Sequence, residues 1–161
     1  MFFTCGVNAI ILHMKIVIQR VSKASVEIEG KINGQIEKGF LLLVGISEED
    51  NEDIVKKMAL KVSKLRIFED DAGKMNLALN DVGGSILSIS QFTLYADTKK
   101  GNRPSFTNAG SPEKAKALYL LFNEELRNLG YKVDEGIFGS EMKVELLNDG
   151  PVTIIMDSKE W

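Results

Sequence analysis

Seven consecutive residues, Ser88-Ile89-Ser90-Gln91-Phe92-Thr93-Leu94, place three hydroxyls, a carboxamide and an aromatic ring where a period-2 pattern runs out. Leu87 and Ile89 alternate with Ser88 and Ser90, as in a half-buried strand. Ser90, Gln91, Phe92 and Thr93 then sit side by side at its exit. Strand ends are where a rigid scaffold presents groups to a ligand. None of these four side chains is a base. The chain has 1 His and 1 Cys, His13 and Cys5, both within its first thirteen residues. If that segment is dispensable, Ser-His-Asp, Cys-His and His-based zinc chemistry are all excluded. Catalysis is then left to carboxylates, hydroxyls, lysines, backbone amides or groups that a substrate brings. The plainer reading of the same stretch is a core strand whose hydroxyls satisfy nearby backbone groups.

Other stretches offer less. Residues 98–104 hold three cations, Lys99, Lys100 and Arg103, and no acid. They suit a small anion-binding feature beside the strand end, or an exposed solubilising loop. Asn148-Asp149-Gly150-Pro151 reads as a hairpin turn, since Asp-Gly and Gly-Pro both favour one. A Gly-Pro peptide is also among the few that adopt cis at modest cost. Glu69-Asp70-Asp71-Ala72-Gly73-Lys74 is a turn lacking the later bidentate Glu of a calcium loop. Gly34 and Gly39 have the spacing of a phosphate loop, but Phe40 and Leu41 follow where Lys and Ser or Thr are required.

The bulk properties bound the answer. A chain of 161 residues is a single domain that buries roughly two-thirds of its unfolded surface. A net charge of −3 argues against coating nucleic acid non-specifically, DNA included, while leaving room for a local patch that grips one end of an RNA. No apolar run is long enough to cross a membrane. The lone Cys5 excludes an intramolecular disulfide and fits a reducing, cytoplasmic setting. Residues 1–13 lack the basic start and cleavage site of a secretory signal. Met14-Lys15-Ile16-Val17 looks like a more natural beginning, so we read 1–13 as an N-terminal extension and 14–161 as one domain.

Periodicity supplies the elements that must position these groups. Strands are expected over 15–21, 24–29 and 32–37, with Gly30-Lys31 and Asn33-Gly34 competing as turns. Residues 40–46 are a continuous apolar run, hence a strand buried on both faces. Asp50 or Asn51 caps a helix whose stripe is Ile54, Val55, Met58, Ala59, Val62 and Leu65, with a short strand over 65–68 after it. Ser111-Pro112-Glu113 starts a second helix with the stripe Ala115, Leu118, Phe122, Leu126 and Leu129, stopped by Gly130. Three final strands are expected over 133–138, 142–147 and 152–157.

Three stretches together look like one family: Met14-Lys15-Ile16-Val17-Ile18-Gln19-Arg20-Val21, Ser90-Gln91-Phe92-Thr93-Leu94 and Asn148-Asp149-Gly150-Pro151-Val152-Thr153. In this order and spacing, with Lys100-Gly101-Asn102-Arg103-Pro104 between them, the chain resembles D-aminoacyl-tRNA deacylases from residue 14 to about 157. The resemblance implies an α/β fold of two β-layers, barrel-like and mostly antiparallel, flanked by helices. It also implies a cytoplasmic homodimer with its active site at the interface, acting on the 3′ end of aminoacyl-tRNA without cofactor or metal. Ser90, Gln91, Phe92 and Thr93 would floor the pocket. Gly150-Pro151, cis and supplied by the partner subunit, would insert its backbone there, held by Arg20. Lys99, Lys100 and Arg103 would contact the tRNA, and Phe92 or Phe106 would pack against a base unless both are core.

The implied chemistry meets the constraint set by the missing histidine. An aminoacyl ester is already activated, so what remains is donors for the oxyanion and activation of water. Backbone N–H groups near Phe92 and Thr93 suit the first, and the ribose 2′-hydroxyl of the substrate suits the second. The Thr93 hydroxyl as nucleophile ranks lower, having no adjacent base. Discriminating D- from L-esters by about 10⁴ requires roughly 5.5 kcal/mol. A main-chain wedge can supply that by steric exclusion, and it would also admit glycine, including Gly mischarged on tRNA-Ala. A dimeric binding module without catalysis, or a carboxylate-based metal hydrolase, would share the composition.

Overall fold

The computed structural model of the chain describes residues 13–160; the first twelve residues of the expected extension, with Cys5, and Trp161 lie outside the described residues. The longest early element is β1 (Lys15–Ile28), one strand where two were expected. Ser22-Lys23 does not break it, because β8 (Lys143–Asp157) runs antiparallel along the whole of one edge and carries the strand across that gap. On its other edge β1 pairs antiparallel with β3 (Gly39–Gly45) through residues 15–21 and with β2 (Lys31–Ile36) through residues 24–28. The β1–β2 turn falls at Glu29-Gly30 rather than at Asn33-Gly34. Asn33 is spent on a bulge, its side-chain amide donating to the Glu135 carbonyl at 2.8 Å.

From β3 the sheet continues in parallel through β6 (Ser85–Ser90) to β7 (Val133–Glu135). Besides the Asn33 bond, Gln35 N donates to Asp134 Oδ2 at 2.8 Å, so β2 leans back on β7 and the mixed sheet nearly closes into a barrel. A small hairpin of β4 (Phe68–Glu69) and β5 (Met75–Leu77) stands apart. In its turn Asp70 accepts from the backbone of Ala72 and Lys74, which holds its carboxyl below the usual range. The expected strand over 65–68 therefore begins only at Phe68.

Two helices cover one face of the sheet. In α1 (Glu52–Lys64), Asn51 is the cap, its Oδ1 accepting from Ile54 N at 3.0 Å. In α2 (Pro112–Asn128), proline occupies the first turn, where its missing N–H costs nothing. Tyr119 and Asn123 are buried on α2, whereas Leu129, expected on the stripe, is 44 % exposed beyond the last turn. The sheet separates two cores. Ile16, Ile18, Phe40, Leu42 and Val44 face the helices with Met58 and Phe122, while Val21, Val26, Leu41, Leu87 and Ile89 fill the barrel. Alternate residues of β3 serve different cores, which explains its uninterrupted apolar run. No described helix is long and apolar enough to cross a membrane.

Candidate active site

Strand β6 delivers Ser90, and the ladder continues one step further, with Gln91 N donating to Val44 O at 2.8 Å. The chain then leaves the strand at Gln91 (φ −144, ψ 78), and Phe92–Tyr95 close a 3₁₀ turn. The turn sets in at the exit where the period-2 pattern runs out. Its first internal bond runs from Leu94 N to Gln91 O, so the preceding amides of Phe92 and Thr93 are not consumed by the turn. Tyr95 pins the far end. Its buried hydroxyl lies 2.5 Å from His13 O and 2.9 Å from Gly45 O, and burial raises its pKa far above the ordinary tyrosine value. Gly45 makes room for that ring, since a Cβ there would stand 2.9 Å from Tyr95 Cε2.

A cavity of about 390 Å³ opens beside the turn, with Ser90, Gln91 and Phe92 on one side and Phe106, Tyr119 and Phe138 on the others. Phe92 is not core. It is 58 % exposed and meets Phe106 edge-on, the ring centroids 5.1 Å apart at 75°. Tyr119 ties α2 to the strand beneath the cavity, donating to Ser88 O at 2.6 Å. The Thr93 hydroxyl accepts from the Gln91 side-chain amide, a neutral donor that occupies a lone pair and offers no base. His13 does not line this cavity.

The second group of expected residues lies elsewhere. Asn148-Asp149-Gly150-Pro151 is no hairpin turn but a bulge within the single strand β8. Thr153 pairs with Gln19 and Asn148 with Val21, so residues 149–152 oppose Arg20 alone. Asn148 closes the base of the bulge, its Nδ2 donating to Arg20 O at 3.0 Å and Val152 O at 2.9 Å. The Arg20 side chain holds it from inside. It is only 7 % exposed, with Nε donating to Asp149 O at 3.0 Å and Nη1 to Ile67 O at 2.8 Å. The Gly150–Pro151 peptide is cis, and Gly150 has φ +132 with Arg20 Nη2 3.0 Å from where a Cβ would be. Neither Gly150 nor Pro151 lines the Ser90–Phe92 cavity of its own chain.

Lys99, Lys100 and Arg103 occupy the exposed loop after the turn. Lys99 lines a second cavity, of about 380 Å³, with His13, Lys15, Tyr95 and Lys159; Lys100 and Arg103 do not. Sequence reasoning passed over Tyr119 and Tyr95. Tyr119 follows Ala115 by four residues and lies on the α2 stripe, so the helical period could have found it. Nothing local marks Tyr95, whose partners His13 and Gly45 are distant in the chain.

The family model described as D-Tyr-tRNA(Tyr) deacylase matches residues 17–157. The chain belongs to that family. A D-aminoacyl-tRNA deacylase of Lactobacillus delbrueckii subsp. bulgaricus is 59 % identical over 144 residues, 89 % of this chain and 99 % of the relative. One from Bacillus velezensis is 56 % identical over 147 residues, 91 % of this chain and 100 % of the relative. Among solved structures, the c-Myc DNA Unwinding Element Binding Protein superposes with a TM-score of 0.82 at 41 % identity, covering 88 % of this chain and 97 % of its own. A probable eukaryotic D-amino acid tRNA deacylase superposes with a TM-score of 0.79 at 15 % identity, covering 91 % and 100 %, which speaks for the fold alone. As a member of the deacylase family the chain is a hydrolase, and the stretch from Arg20 to Asp157 that holds both groups of site residues lies within the match.

Proposed function

We propose that the chain hydrolyses the ester of D-aminoacyl-tRNA, releasing the free D-amino acid and tRNA, as a homodimer whose protomers complete each other's sites. The observation that carries this reading is the separation of two prepared halves. The Phe92–Tyr95 turn borders an apolar cavity, while the Arg20-held bulge projects from a strand paired on one edge only. A bulge exposed at Asp149, Gly150 and Pro151, none of which lines its own chain's cavity, is available to the cavity of a second copy. Strand β8 favours that assembly: its free edge is long, and Leu147 and Ile155 on it are 54 % and 73 % exposed.

Within such a site, the amides of Phe92 and Thr93 stabilise the oxyanion that forms when water attacks the ester carbonyl. The ribose 2′-hydroxyl handles the proton, so no histidine is needed. The ring surfaces of Phe92, Phe106 and Phe138 suit the terminal base, and Lys99, Lys100 and Arg103 the preceding RNA. The Gly150-Pro151 backbone stands where an L side chain would project and leaves D side chains free to point outward. Achiral glycine, which has nothing to clash, is admitted too, as on mischarged tRNA-Ala.

The test is incubation of the purified protein with D-Tyr-tRNA, L-Tyr-tRNA and Gly-tRNA. The D and Gly esters are expected to disappear at catalytic protein concentrations while the L ester persists. Survival of the D ester would leave a binding module instead. Loss of activity with EDTA would move the chemistry to a metal; unchanged rates are expected.

A further inference from the structure

We infer that the second cavity is a phosphate cradle for the 3′ strand of the RNA substrate, formed by Lys15 and Lys159 together with Lys99. This inference rests on the deacylase reading and adds a binding site to it. The cavity adjoins the catalytic turn, because Tyr95, the last residue of that turn, forms part of its wall. Its three lysines come from the start of β1, the loop after the turn and the end of the chain, and only the tertiary fold brings them together.

Two acids share the cavity, and both are committed to shaping its rim. Asp97 Oδ1 accepts from Lys99 N at 3.0 Å, while the Asp97 backbone exchanges hydrogen bonds with Ser105 at 2.7 and 2.9 Å. Asp157 Oδ1 accepts from Lys159 N at 3.0 Å, and its other oxygen lies 3.9 Å from Lys159 Nζ. That last pair is the cavity's one lysine–carboxylate contact among the described residues. It is long and its lysine is 59 % exposed, so an incoming phosphate competes with it readily. Lys15 holds its ammonium 5.2 Å from the centroid of the Tyr95 ring, and neither it nor Lys99 has a carboxylate partner among the described residues.

Three ammonium groups line the cavity against the two carboxylates Asp97 and Asp157, with His13 beside them. A third carboxylate, Asp50, lies behind Tyr95 and His13 but is buried and hydrogen-bonded to Ser47 and Met14. The charge presented at the open surface is therefore cationic on a chain of net charge −3. Residues 1–12 carry no acidic side chain that would cancel it. An ester held at Phe92 and Thr93 puts the phosphates before the terminal ribose within a few nucleotides of this surface. Flexible point charges around an open cavity suit a phosphodiester, which demands charge more than fixed geometry.

The experiment compares D-Tyr-tRNA with the D-tyrosyl ester of adenosine, which has no phosphate, in the wild type and in Lys15→Gln/Lys159→Gln. The ratio of kcat/KM for the tRNA ester to that for the adenosine ester is expected to fall about tenfold or more in the variant. The log–log dependence of kcat/KM for the tRNA ester on salt should become shallower by about one unit for each phosphate that the variant leaves unneutralised. An unchanged ratio and salt slope overturn the cradle while leaving the deacylase reading intact. Equal losses on both esters also overturn it, because they assign the lysines to the reaction centre. Failure of the wild type to cleave either ester removes the deacylase reading and the cradle with it.

Discussion

At the scale of single residues, Arg20 is the most informative. A buried guanidinium bonded to two main-chain carbonyls has exchanged its hydration for a mechanical task, holding Asp149 and Ile67 at fixed separation. If the bulge is the chiral wedge, Arg20→Ala is expected to raise L-Tyr-tRNA cleavage relative to D by about tenfold or more, since loosening a wedge by an ångström forfeits much of a steric penalty. An unchanged D/L ratio of kcat/KM would end the tether role. Thr93→Ala should retain activity within about tenfold, because the amides survive; a loss of the size seen for covalent nucleophiles, about 10⁴ or more, would reinstate its hydroxyl. Asp50, buried behind the Tyr95 anchor of the turn, provides a pH test of stability. Its carboxyl, 3 % exposed, accepts from Ser47 N at 2.7 Å, Ser47 Oγ at 2.9 Å and Met14 N at 3.0 Å, and burial nonetheless holds its pKa above the ordinary 3.8. The folded state thus binds this proton more tightly than the unfolded chain does. The resulting stabilisation is full below 3.8 and is lost as pH rises through the folded value. Asp50→Asn lacks that gain, so urea unfolding should show the variant falling further behind the wild type at about pH 4 than at pH 7.

At the scale of elements, the decisive feature is β8 running as one strand through a four-residue bulge. Asp-Gly and Gly-Pro signal a turn wherever they occur, and a local reading makes that turn the end of a hairpin. Only pairing of both halves of β8 with the one long strand β1 reveals that the chain keeps its direction. Asn148 maintains this arrangement. Asn148→Ala deprives Arg20 O and Val152 O of their donor and is expected to cost about 1–3 kcal/mol in urea unfolding. If the bulge is the chiral filter, the same change should relax L-rejection more than it slows D-ester cleavage. The 3₁₀ turn was equally hidden, since Phe92, Thr93 and Leu94 are competent strand residues. What bends the chain there is Tyr95 reaching beneath Gly45. Gly45→Ala, which drives a methyl to within 2.9 Å of that ring, should cost about 1–3 kcal/mol and, if the Phe92 and Thr93 amides hold the oxyanion, lower kcat by displacing them.

At the scale of the whole molecule, if the two site halves meet only across a dimer, the chain is active only when paired. Specific activity should then fall on dilution in step with dissociation measured by sedimentation. Ile155→Arg, which puts a charge on the free edge of β8, should yield a folded monomer that leaves D-Tyr-tRNA intact. A stable, active monomer would refute the shared site. The ordered motifs at Arg20, Ser90–Thr93 and Asn148–Thr153 made the family legible, and the absence of His and Cys from residues 14–161 restricted the chemistry independently of the fold. Periodicity likewise placed both helices and the buried run of β3, because amphipathic spacing and turn chemistry are local properties. The tertiary structure alone decided that two predicted strands merge at each end, that 148–151 is a bulge and that Phe92 is exposed. It also decided that Lys15, Lys99 and Lys159 surround one cavity. Each of these outcomes depends on which distant segment takes up a hydrogen bond or covers an apolar surface, and one-dimensional patterns carry no record of such long-range partners.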